Sequence, residues 1–294
     1  MNRIGLPLVS VLMTAYNREM YISEAIESVL ASTYTNFELI IVDDGSKDNT
    51  VKIARSYGEK DERVKVYVNE QNLGQFPNRN QAALYAKGKY IKYLDSDDKI
   101  YDWGLAYCVE MMEKYPDAGM GLFKLEKGVK QEYLDSKDAI TMNYFDKPIL
   151  NIGPSGTILR KSAFEAIGYY KPDYGVPSDM YFNLKIASSF PIAFLEREFF
   201  FYRVHDGQEF RNTYSYVCYN YKYLHDALLV PGFPLSKEQK KVLIKRARRS
   251  FVQLFVQYIR ETGNIGKAIK AIRISGIGVT GFLRGIFGQV VSVK

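Results

Sequence analysis

The first hundred residues alternate short apolar runs with stretches of helical periodicity, and no other feature restricts the fold as strongly. Four runs have the length and composition of strands that are buried in a sheet: residues 8–13, 37–42, 64–68 and 90–94. Between the first two runs, apolar residues recur at the spacing of one helical face: Ile22, Ala25, Ile26 and Val29. This order predicts an α/β fold with a mostly parallel central sheet flanked by helices.

Two residues are predicted to mark the ends of helices in this region. Gly88 follows an alanine-rich stretch and is predicted to lie just past a helix end, where glycine tolerates a positive φ. Pro116 is predicted to stop the helix that contains Leu105, because proline cannot continue a helix. Residues 119–203 mix short strands, Gly/Pro-rich turns and one helix near Ser178, whereas the pattern after Asn212 is helical.

Two acidic clusters follow the second and fourth predicted strands. Asp43 and Asp44 end the second run, and Asp95, Asp97 and Asp98 follow the fourth. Ligands of open α/β sheets bind beyond the carboxyl ends of the strands, so both clusters lie where a ligand is expected. Carboxylates on one turn suit Mg²⁺ or Mn²⁺, and such an ion can hold a diphosphate that carboxylates alone would repel. The alternative is helix capping and an ordinary turn, although three carboxylates within four residues exceed what capping needs.

The cysteine content and the hydropathy indicate the cellular location of the protein. Cys108 and Cys218 are the two cysteines, so we expect neither a disulfide framework nor a zinc site, and a cytoplasmic location. Residues 1–7 lack the features of a secretion signal. The most apolar long segment, residues 272–293, is interrupted by Arg273 and Arg284, which argues against a spanning helix.

The positive charge is concentrated at the C-terminal end. Residues 236–294 contain 13 Lys and Arg against 2 Asp and Glu, whereas the whole chain carries +7, so the preceding part is net negative at −4. This asymmetry predicts an anionic partner for the tail. A nucleic acid is disfavoured, because its binding residues should line a groove in the core.

Apolar residues at helical spacing accompany this charge and predict helices that lie on an anionic membrane surface: Phe251, Leu254, Phe255, Ile265, Ile269 and Ile272. The alternative is that these helices pack on the rest of the protein. Gly276, Gly278 and Gly281 match the G-x-G-x-x-G dinucleotide fingerprint, but the preceding stretch is helical instead of a strand. We therefore interpret that match as accidental.

Four ordered motifs resemble those of the family 2 glycosyltransferases of the GT-A fold. The resemblance covers about residues 7–205, and its motifs are residues 9–17, 37–46, 72–74 with 79–80, and 94–98. It implies an inverting transfer of a sugar from a nucleotide-sugar donor to a hydroxyl of a glycan or lipid-linked acceptor, with Mg²⁺ or Mn²⁺ as cofactor. The implied setting is the synthesis of bacterial cell-surface polysaccharide, in the cytoplasm or on the inner face of the plasma membrane.

The resemblance assigns the donor base and phosphates to residues near the first strands. Thr14, Tyr16 and Asp44 correspond to the base-binding positions, with Asp44 accepting the uracil N3–H and Tyr16 stacking on the ring. Arg79 corresponds to a contact with the donor phosphates. The alternatives are a simple strand-to-helix loop for Thr14 and Tyr16, and a solvated helix face for Arg79.

The resemblance also implies a metal site. Asp95 and Asp97 are similar to the Asp-x-Asp pair that holds ribose and metal, with Asp98 in support. His205, in a late motif over residues 202–208, corresponds to a histidine near the diphosphate or the metal, although a structural histidine is the alternative. Gly207 and the polar residues after it suit a loop that orders over bound donor.

Asp179 matches the position of the general base. Inverting transfer is a direct displacement, so the acceptor hydroxyl must lose its proton as it attacks the anomeric carbon. The family commonly has two acidic residues at this point, whereas here the first is Ser178, which leaves Asp179 as the base. The alternative is that Ser178 is an N-cap and that Asp179 only favours the helix dipole.

We therefore predict a GT-A catalytic domain over residues 1–212 and a helical, basic C-terminal extension over residues 213–294. Within the domain, residues 1–100 form the nucleotide-sugar half and residues 101–212 the acceptor half. The alternative function is a catalytically inactive nucleotide-sugar-binding module of the same fold. A glycoside hydrolase would also use paired carboxylates, but it would need neither the metal cluster nor the base-reading loop.

Overall fold

The computed structural model describes residues 5–124, 126, 128–206 and 208–288, without the side chain of Phe210. The strands are β1 (Val9–Ala15), β2 (Phe37–Asp43), β3 (Val64–Val68), β4 (Tyr90–Tyr93), β5 (Lys99–Ile100), β6 (Met120–Phe123), β7 (Tyr133–Leu134), β8 (Thr157–Arg160), β9 (Ile192–Leu195) and β10 (Phe200–Phe201). The α-helices of the first 212 residues are α1 (Ile22–Leu30), α2 (Thr50–Gly58), α3 (Gln75–Tyr85), α4 (Gly104–Lys114), α5 (Ser136–Phe145), α6 (Lys161–Ile167) and α7 (Ser178–Ser189). Four further helices follow: α8 (Thr213–Leu228), α9 (Lys237–Thr262), α10 (Ile265–Ser275) and α11 (Gly278–Phe287).

A central sheet has the strand order β3-β2-β1-β4-β8-β6-β9-β7. The first four strands of this order pair in parallel, so their carboxyl ends lie at one edge. Strand β8 is antiparallel to both β4 and β6 and joins the two halves of the sheet. Strands β10 and β5 form a separate antiparallel pair. This pair places residues 200–201 beside the segment that follows the acidic cluster.

The two faces of the sheet are covered by different helices. Val9, Val11 and Met13 of β1 pack in one layer with the apolar face of α1, as the spacing of α1 predicts. Leu12 of β1 belongs to the opposite layer, which contains residues of α3, α6 and α7 and of the C-terminal helices. The predicted α/β fold with a mostly parallel sheet and a C-terminal helical extension is confirmed.

The prediction for Gly88 is wrong. Helix α3 ends at Tyr85, and Gly88 is not among the described residues of positive φ. A Cβ atom at Gly88 would lie 2.6 Å from the Ser10 nitrogen and 2.7 Å from the Leu8 oxygen, so glycine is required by the close approach of β1. Pro116 does follow a helix end as predicted, since α4 ends at Lys114.

The C-terminal helices pack on the rest of the protein through part of the predicted membrane face. Phe251 is 2% exposed, and Leu254, Phe255 and Ile272 pack against the same core. For these residues the packing alternative is right. Ile265 and Ile269 are exposed, together with four residues of α11 that the sequence pattern did not single out: Val279, Leu283, Ile286 and Phe287.

The glycine-rich match runs from Gly276, just past the end of α10, into α11, so a helix precedes it instead of a strand and its interpretation as accidental is confirmed. Within the described part of the chain, no helix has the length and hydropathy needed to cross a bilayer. Residues 1–4 of the N-terminal segment and residues 289–294 of the basic tail lie outside the described residues.

Candidate active site

The loops after β1 and β2 are joined by hydrogen bonds at the carboxyl edge of the sheet. The Asp44 nitrogen donates to the Ala15 oxygen (2.8 Å), and the Asn17 nitrogen donates to Ser46 Oγ (2.8 Å). Thr14, at the end of β1, is half-buried, whereas Tyr16 in the following loop is 43% exposed. The structure therefore brings three predicted base-binding residues to one edge: Thr14, Tyr16 and Asp44.

The Asp44 carboxylate organises the loop before α3. Its Oδ1 accepts hydrogen bonds from Asn69 Nδ2 (2.8 Å) and the Leu73 nitrogen (2.9 Å), and its Oδ2 accepts one from the Gly74 nitrogen (2.9 Å). Gly74 has a φ of +89°, which glycine adopts without strain. A carboxylate has about four acceptor positions, so one remains available to a ligand. Sequence reasoning missed this structural role of Asp44.

Asp43 is part of a local turn. Its Oδ1 accepts from the Gly45 nitrogen (3.0 Å) and the Ser46 nitrogen (2.8 Å), and its Oδ2 accepts from Ser46 Oγ (2.5 Å). The ordinary-turn interpretation therefore holds for Asp43, which is fully buried.

Three carboxylates meet on the turn after β4. Asp95, Asp97 and Asp98 each place an oxygen within 4.8 Å of the others. Asp98 Oδ1 accepts from the Arg203 nitrogen (3.0 Å), whereas its buried Oδ2 has no hydrogen-bond partner in the described part of the chain. Burial, together with the charge of Asp95, raises the pKa of Asp98 to about 7. The cluster presents hard oxygen ligands, which fits a divalent cation.

Two arginines and one histidine contact two of these carboxylates. Arg79 Nη2 lies 2.5 Å from Asp95 Oδ1, and Arg18 Nε lies 3.2 Å from Asp97 Oδ2. His205 Nε2 is 2.9 Å from the same Asp97 oxygen, and its ring stacks on Tyr21 at a centroid distance of 4.8 Å. The late sequence motif thus folds back onto the acidic cluster.

Arg79 lies beneath the acidic cluster instead of on a solvated face. Its side chain is 2% exposed, and its guanidinium lies 5.6 Å from the centre of the Tyr93 ring. Burial opposes the charge of Arg79, yet the Asp95 carboxylate beside it raises its pKa overall. The solvated-face alternative is therefore wrong, and the predicted contact with donor phosphates stays a prediction.

Asp179 lies in the first turn of α7. The N-cap of α7 is Pro177, and no side chain caps the helix. Ser178 is fully buried, and its Oγ has no hydrogen-bond partner in the described structure, so Ser178 is not an N-cap. Burial raises the pKa of Asp179 to about 7, with Arg79 lowering it and Asp95 raising it further. A carboxyl group with a pKa near 7 is suited to general-base catalysis.

Several residues of the site were missed from the sequence. Lys92 of β4 is fully buried, and its Nζ donates to the backbone oxygens of Tyr93 (2.5 Å) and Ser155 (2.6 Å). Ser155 Oγ in turn accepts from the Asp95 nitrogen (3.0 Å), so Lys92 and Ser155 link the acidic turn to the turn before β8. A lysine within a strand-like run carries no signal of such burial. Arg18 and Tyr21 follow the recognised first motif without belonging to it.

The loop after His205 is described in part. Gln208 Oε1 accepts from the His205 nitrogen (3.0 Å), and Gln208 Nε2 donates to the Arg203 oxygen (2.7 Å). Gly207 lies outside the described residues. Closure of this loop over bound donor stays a prediction.

The fold is similar to those of solved glycosyltransferases. TarS of S. aureus, in complex with UDP-GlcNAc, has a TM-score of 0.68 at 20% identity, over 92% of this chain and 80% of that one. The mannosyltransferase PcManGT of Pyrobaculum calidifontis, in complex with GDP-Man and Mn²⁺, has a TM-score of 0.64 at 15% identity, over 96% of this chain and 86% of that one. The fold class is thus that of a GT-A glycosyltransferase.

The sequence relatives identify the family. Residues 10–168 match the profile described as "Glycosyl transferase family 2", and the chain belongs to that family. An uncharacterised glycosyltransferase of Rickettsia typhi, RT0329, is 30% identical over 273 residues, which are 88% of this chain and 82% of the relative.

Other relatives match over shorter stretches. The Escherichia coli protein WfgD, named as a UDP-Glc:alpha-D-GlcNAc-diphosphoundecaprenol beta-1,3-glucosyltransferase, is 46% identical over 91 residues, 31% of this chain and 35% of that protein. An uncharacterised Haemophilus influenzae glycosyltransferase is 42% identical over 97 residues, 33% of this chain and 39% of that protein.

Proposed function

We propose that this glycosyltransferase transfers a sugar, with inversion, from a nucleoside-diphosphate sugar to a hydroxyl of a glycan or lipid-linked acceptor. The observation that carries the proposal is one arrangement of carboxylates: an acidic cluster held by Arg79, Arg18 and His205, with the separate carboxyl group of Asp179 close enough for Asp95 to raise its pKa. The cluster serves donor binding, and Asp179 serves proton transfer.

UDP is the nucleotide that we favour. Thr14, Tyr16 and Asp44 share one edge of the sheet, and Asp44 keeps an acceptor position for the N3–H of a uracil ring. The name of WfgD includes UDP-Glc and TarS was solved with UDP-GlcNAc, whereas PcManGT was solved with GDP-Man.

Asp97, Asp98 and His205 would hold a divalent cation, with Asp95 beside it towards the ribose. Their oxygen and nitrogen atoms suit Mg²⁺ or Mn²⁺. When bound, such an ion neutralises the charge that develops on the departing diphosphate. Arg79 holds Asp95 and Arg18 holds Asp97, so the protein orients the carboxylates before donor binds.

Asp179 would take the proton of the acceptor hydroxyl. As the hydroxyl oxygen bonds to the anomeric carbon, the bond from that carbon to the diphosphate oxygen breaks, and the nucleoside diphosphate leaves. The proton passes to a carboxylate oxygen of Asp179. A pKa near 7 keeps a large share of Asp179 ionised at neutral pH while leaving it basic enough to accept a proton.

We also propose that the C-terminal helices rest on an anionic membrane surface, which fits a lipid-linked acceptor. The exposed apolar residues of α10 and α11 lie among basic ones, including Arg273 and Arg284. This is the composition of an interfacial helix.

A thermal-shift panel tests the function. Wild type is measured with UDP, GDP, dTDP and CMP, each with Mn²⁺ and again with EDTA. Selective binding raises the melting temperature by mass action, and we expect UDP with Mn²⁺ to raise it most. Equal shifts for all four nucleotides, or shifts that EDTA leaves unchanged, would refute the donor and metal assignments. UDP binding without turnover of any UDP-sugar would favour the inactive binding module.

A further inference from the structure

Two adjoining cavities lie beside Asp179, between the acceptor half and the C-terminal helices. The inner cavity has a volume of about 190 Å³ and is lined by Asn143, Asn151 and Met180, among others. The outer cavity has a volume of about 250 Å³ and is lined by residues of α8 and α9, Arg246 among them. Together they reach the size of about 300–1,000 Å³ that is typical of small-molecule sites.

Tyr144 and Tyr223 line both cavities, so the two cavities adjoin at these residues. Met180 lines the inner cavity and follows Asp179 in α7, so this cavity lies near the first turn of that helix. Tyr216 and Tyr223 lie seven residues apart on one face of α8. Burial raises the pKa of both phenols, and the negative charge of Asp179 adds to the effect, which indicates that this face of α8 lies near Asp179.

The lining of the inner cavity suits a sugar ring. Asn143 uses its Oδ1 to accept from the Leu150 nitrogen (2.9 Å), which leaves its amide NH₂ group as a donor for a ligand. Asn151 adds a second amide, and the Tyr144 and Tyr223 rings offer apolar faces with polar edges. Amides and phenol rings complement a ring that carries hydroxyls on its edge and C–H groups on its faces.

The outer cavity adds a positive charge. Arg246 is the charged residue in its lining, and no acidic residue lines either cavity within the described part of the chain. The Arg246 guanidinium donates to the backbone oxygen of Tyr144 (3.2 Å) and lies 5.3 Å from the centre of the Phe145 ring. These two contacts hold the guanidinium at the rim of the cavity. A planar guanidinium in this position is suited to bind a phosphate through two parallel hydrogen bonds.

We propose that the two cavities form an acceptor site for a glycosyl phosphate. The sugar with the reacting hydroxyl occupies the inner cavity near Asp179, and the phosphate on its far side contacts Arg246 in the outer cavity. The inference rests on the proposed function and adds the acceptor's chemical class. The same phosphate chemistry occurs in a free sugar phosphate and in a lipid-linked one, and the two are separated below.

Ligand-observed NMR on the full chain tests the site, with UDP and Mn²⁺ present in excess to fill the donor site. The probes are the 1-phosphates of glucose, galactose, mannose and their N-acetylated amino sugars, together with the free sugars and inorganic phosphate. We expect at least one glycosyl phosphate to bind more tightly than its free sugar and than inorganic phosphate. Hydrogen bonds to a charged group contribute enough for Arg246→Gln to weaken its binding about tenfold or more.

Arg249→Gln is the matched control, because Arg249 is an exposed arginine of the same helix that does not line the cavity. It should leave the affinity unchanged. If Arg246→Gln has no effect on any glycosyl phosphate, or if Arg249→Gln weakens binding as much, the site assignment is wrong. Adding a short lipid to the best probe distinguishes the sources: a further gain in affinity that persists without membranes indicates a lipid-linked acceptor, and no gain indicates a soluble sugar phosphate.

The same samples separate this inference from the proposed function. If UDP with Mn²⁺ does not bind wild type, the donor site itself is misassigned. If UDP binds and Asp97→Asn abolishes that binding, but no glycosyl phosphate responds to Arg246→Gln, only the acceptor inference fails.

Discussion

The proposed donor side and the proposed acceptor side of this enzyme are held by different interactions. At the donor side, Asp44 and Asp97 are held by hydrogen bonds and ion pairs at the ends of parallel strands. At the acceptor side, Asp179 lies in the first turn of a helix near half-buried tyrosines, and burial is the main cause of its raised pKa. Polar contacts can position a charged ligand, whereas burial can tune a base. In our proposal, the donor side therefore binds the nucleotide sugar and the acceptor side accepts the proton.

The largest effect that we expect comes from Asp179→Asn. General-base contributions run to about 10²–10⁴-fold, so kcat should fall by that factor, or about 3–5 kcal/mol of barrier. Donor affinity should stay within about twofold, because the role of Asp179 is confined to the transition state. Single-turnover transfer and donor Kd are measured on the same preparation. A near-normal rate would remove Asp179 from the mechanism.

Asp97→Asn should act on donor binding as well as turnover. Removing this carboxylate takes a ligand from the proposed metal and a partner from Arg18 and His205. We expect the Kd of the UDP-sugar with Mn²⁺ to rise by about 10–100-fold. Asp102→Asn, between β5 and α4 and outside the acidic cluster, is the matched control and should keep normal affinity. Donor binding that survives both Asp97→Asn and EDTA would contradict the metal assignment.

The raised pKa of Asp179 predicts opposite pH responses of activity and stability. Activity should fall about tenfold per unit below pH 7, because the base must be ionised. Folding should become less favourable as pH rises from about 4 to 7, because the folded pKa exceeds the unfolded value of about 3.9. Asp179→Asn should therefore melt higher than wild type at pH 8 and equally near pH 4. A variant that melts lower at pH 8 would support the helix-dipole alternative.

The smallest effect concerns the membrane. Replacing Leu283 and Phe287 of α11 by serine should reduce co-sedimentation with anionic vesicles several-fold, because exposed apolar area contributes to interfacial binding. Leu84→Ser is the matched control, since Leu84 is an exposed leucine of α3. Equal binding of wild type to neutral and anionic vesicles would refute the proposal.

The sequence predicted the two sides unequally. The strand ends and the acidic turn follow from local patterns, whereas the link between Asp97 and His205 came from the family resemblance. The burial of Arg79 and Lys92 could not be predicted from the sequence, because it depends on β4 lying in the middle of the sheet with both faces covered. Gly88 was misjudged because its neighbour is β1, far away in sequence. The tyrosines of α8 can be read from the sequence, but their proximity to Asp179 arises from tertiary packing alone.

The stereochemistry of donor cleavage tests the central claim most directly, and it requires no knowledge of the acceptor. Without acceptor, water takes the place of the acceptor hydroxyl, and ¹H NMR identifies the first anomer released before mutarotation. A single displacement assisted by Asp179 predicts that an α-linked UDP-sugar yields the β-anomer first, and that Asp179→Asn slows its appearance. Release of the α-anomer would show retention and would contradict the assignment of Asp179 as the base of a direct displacement.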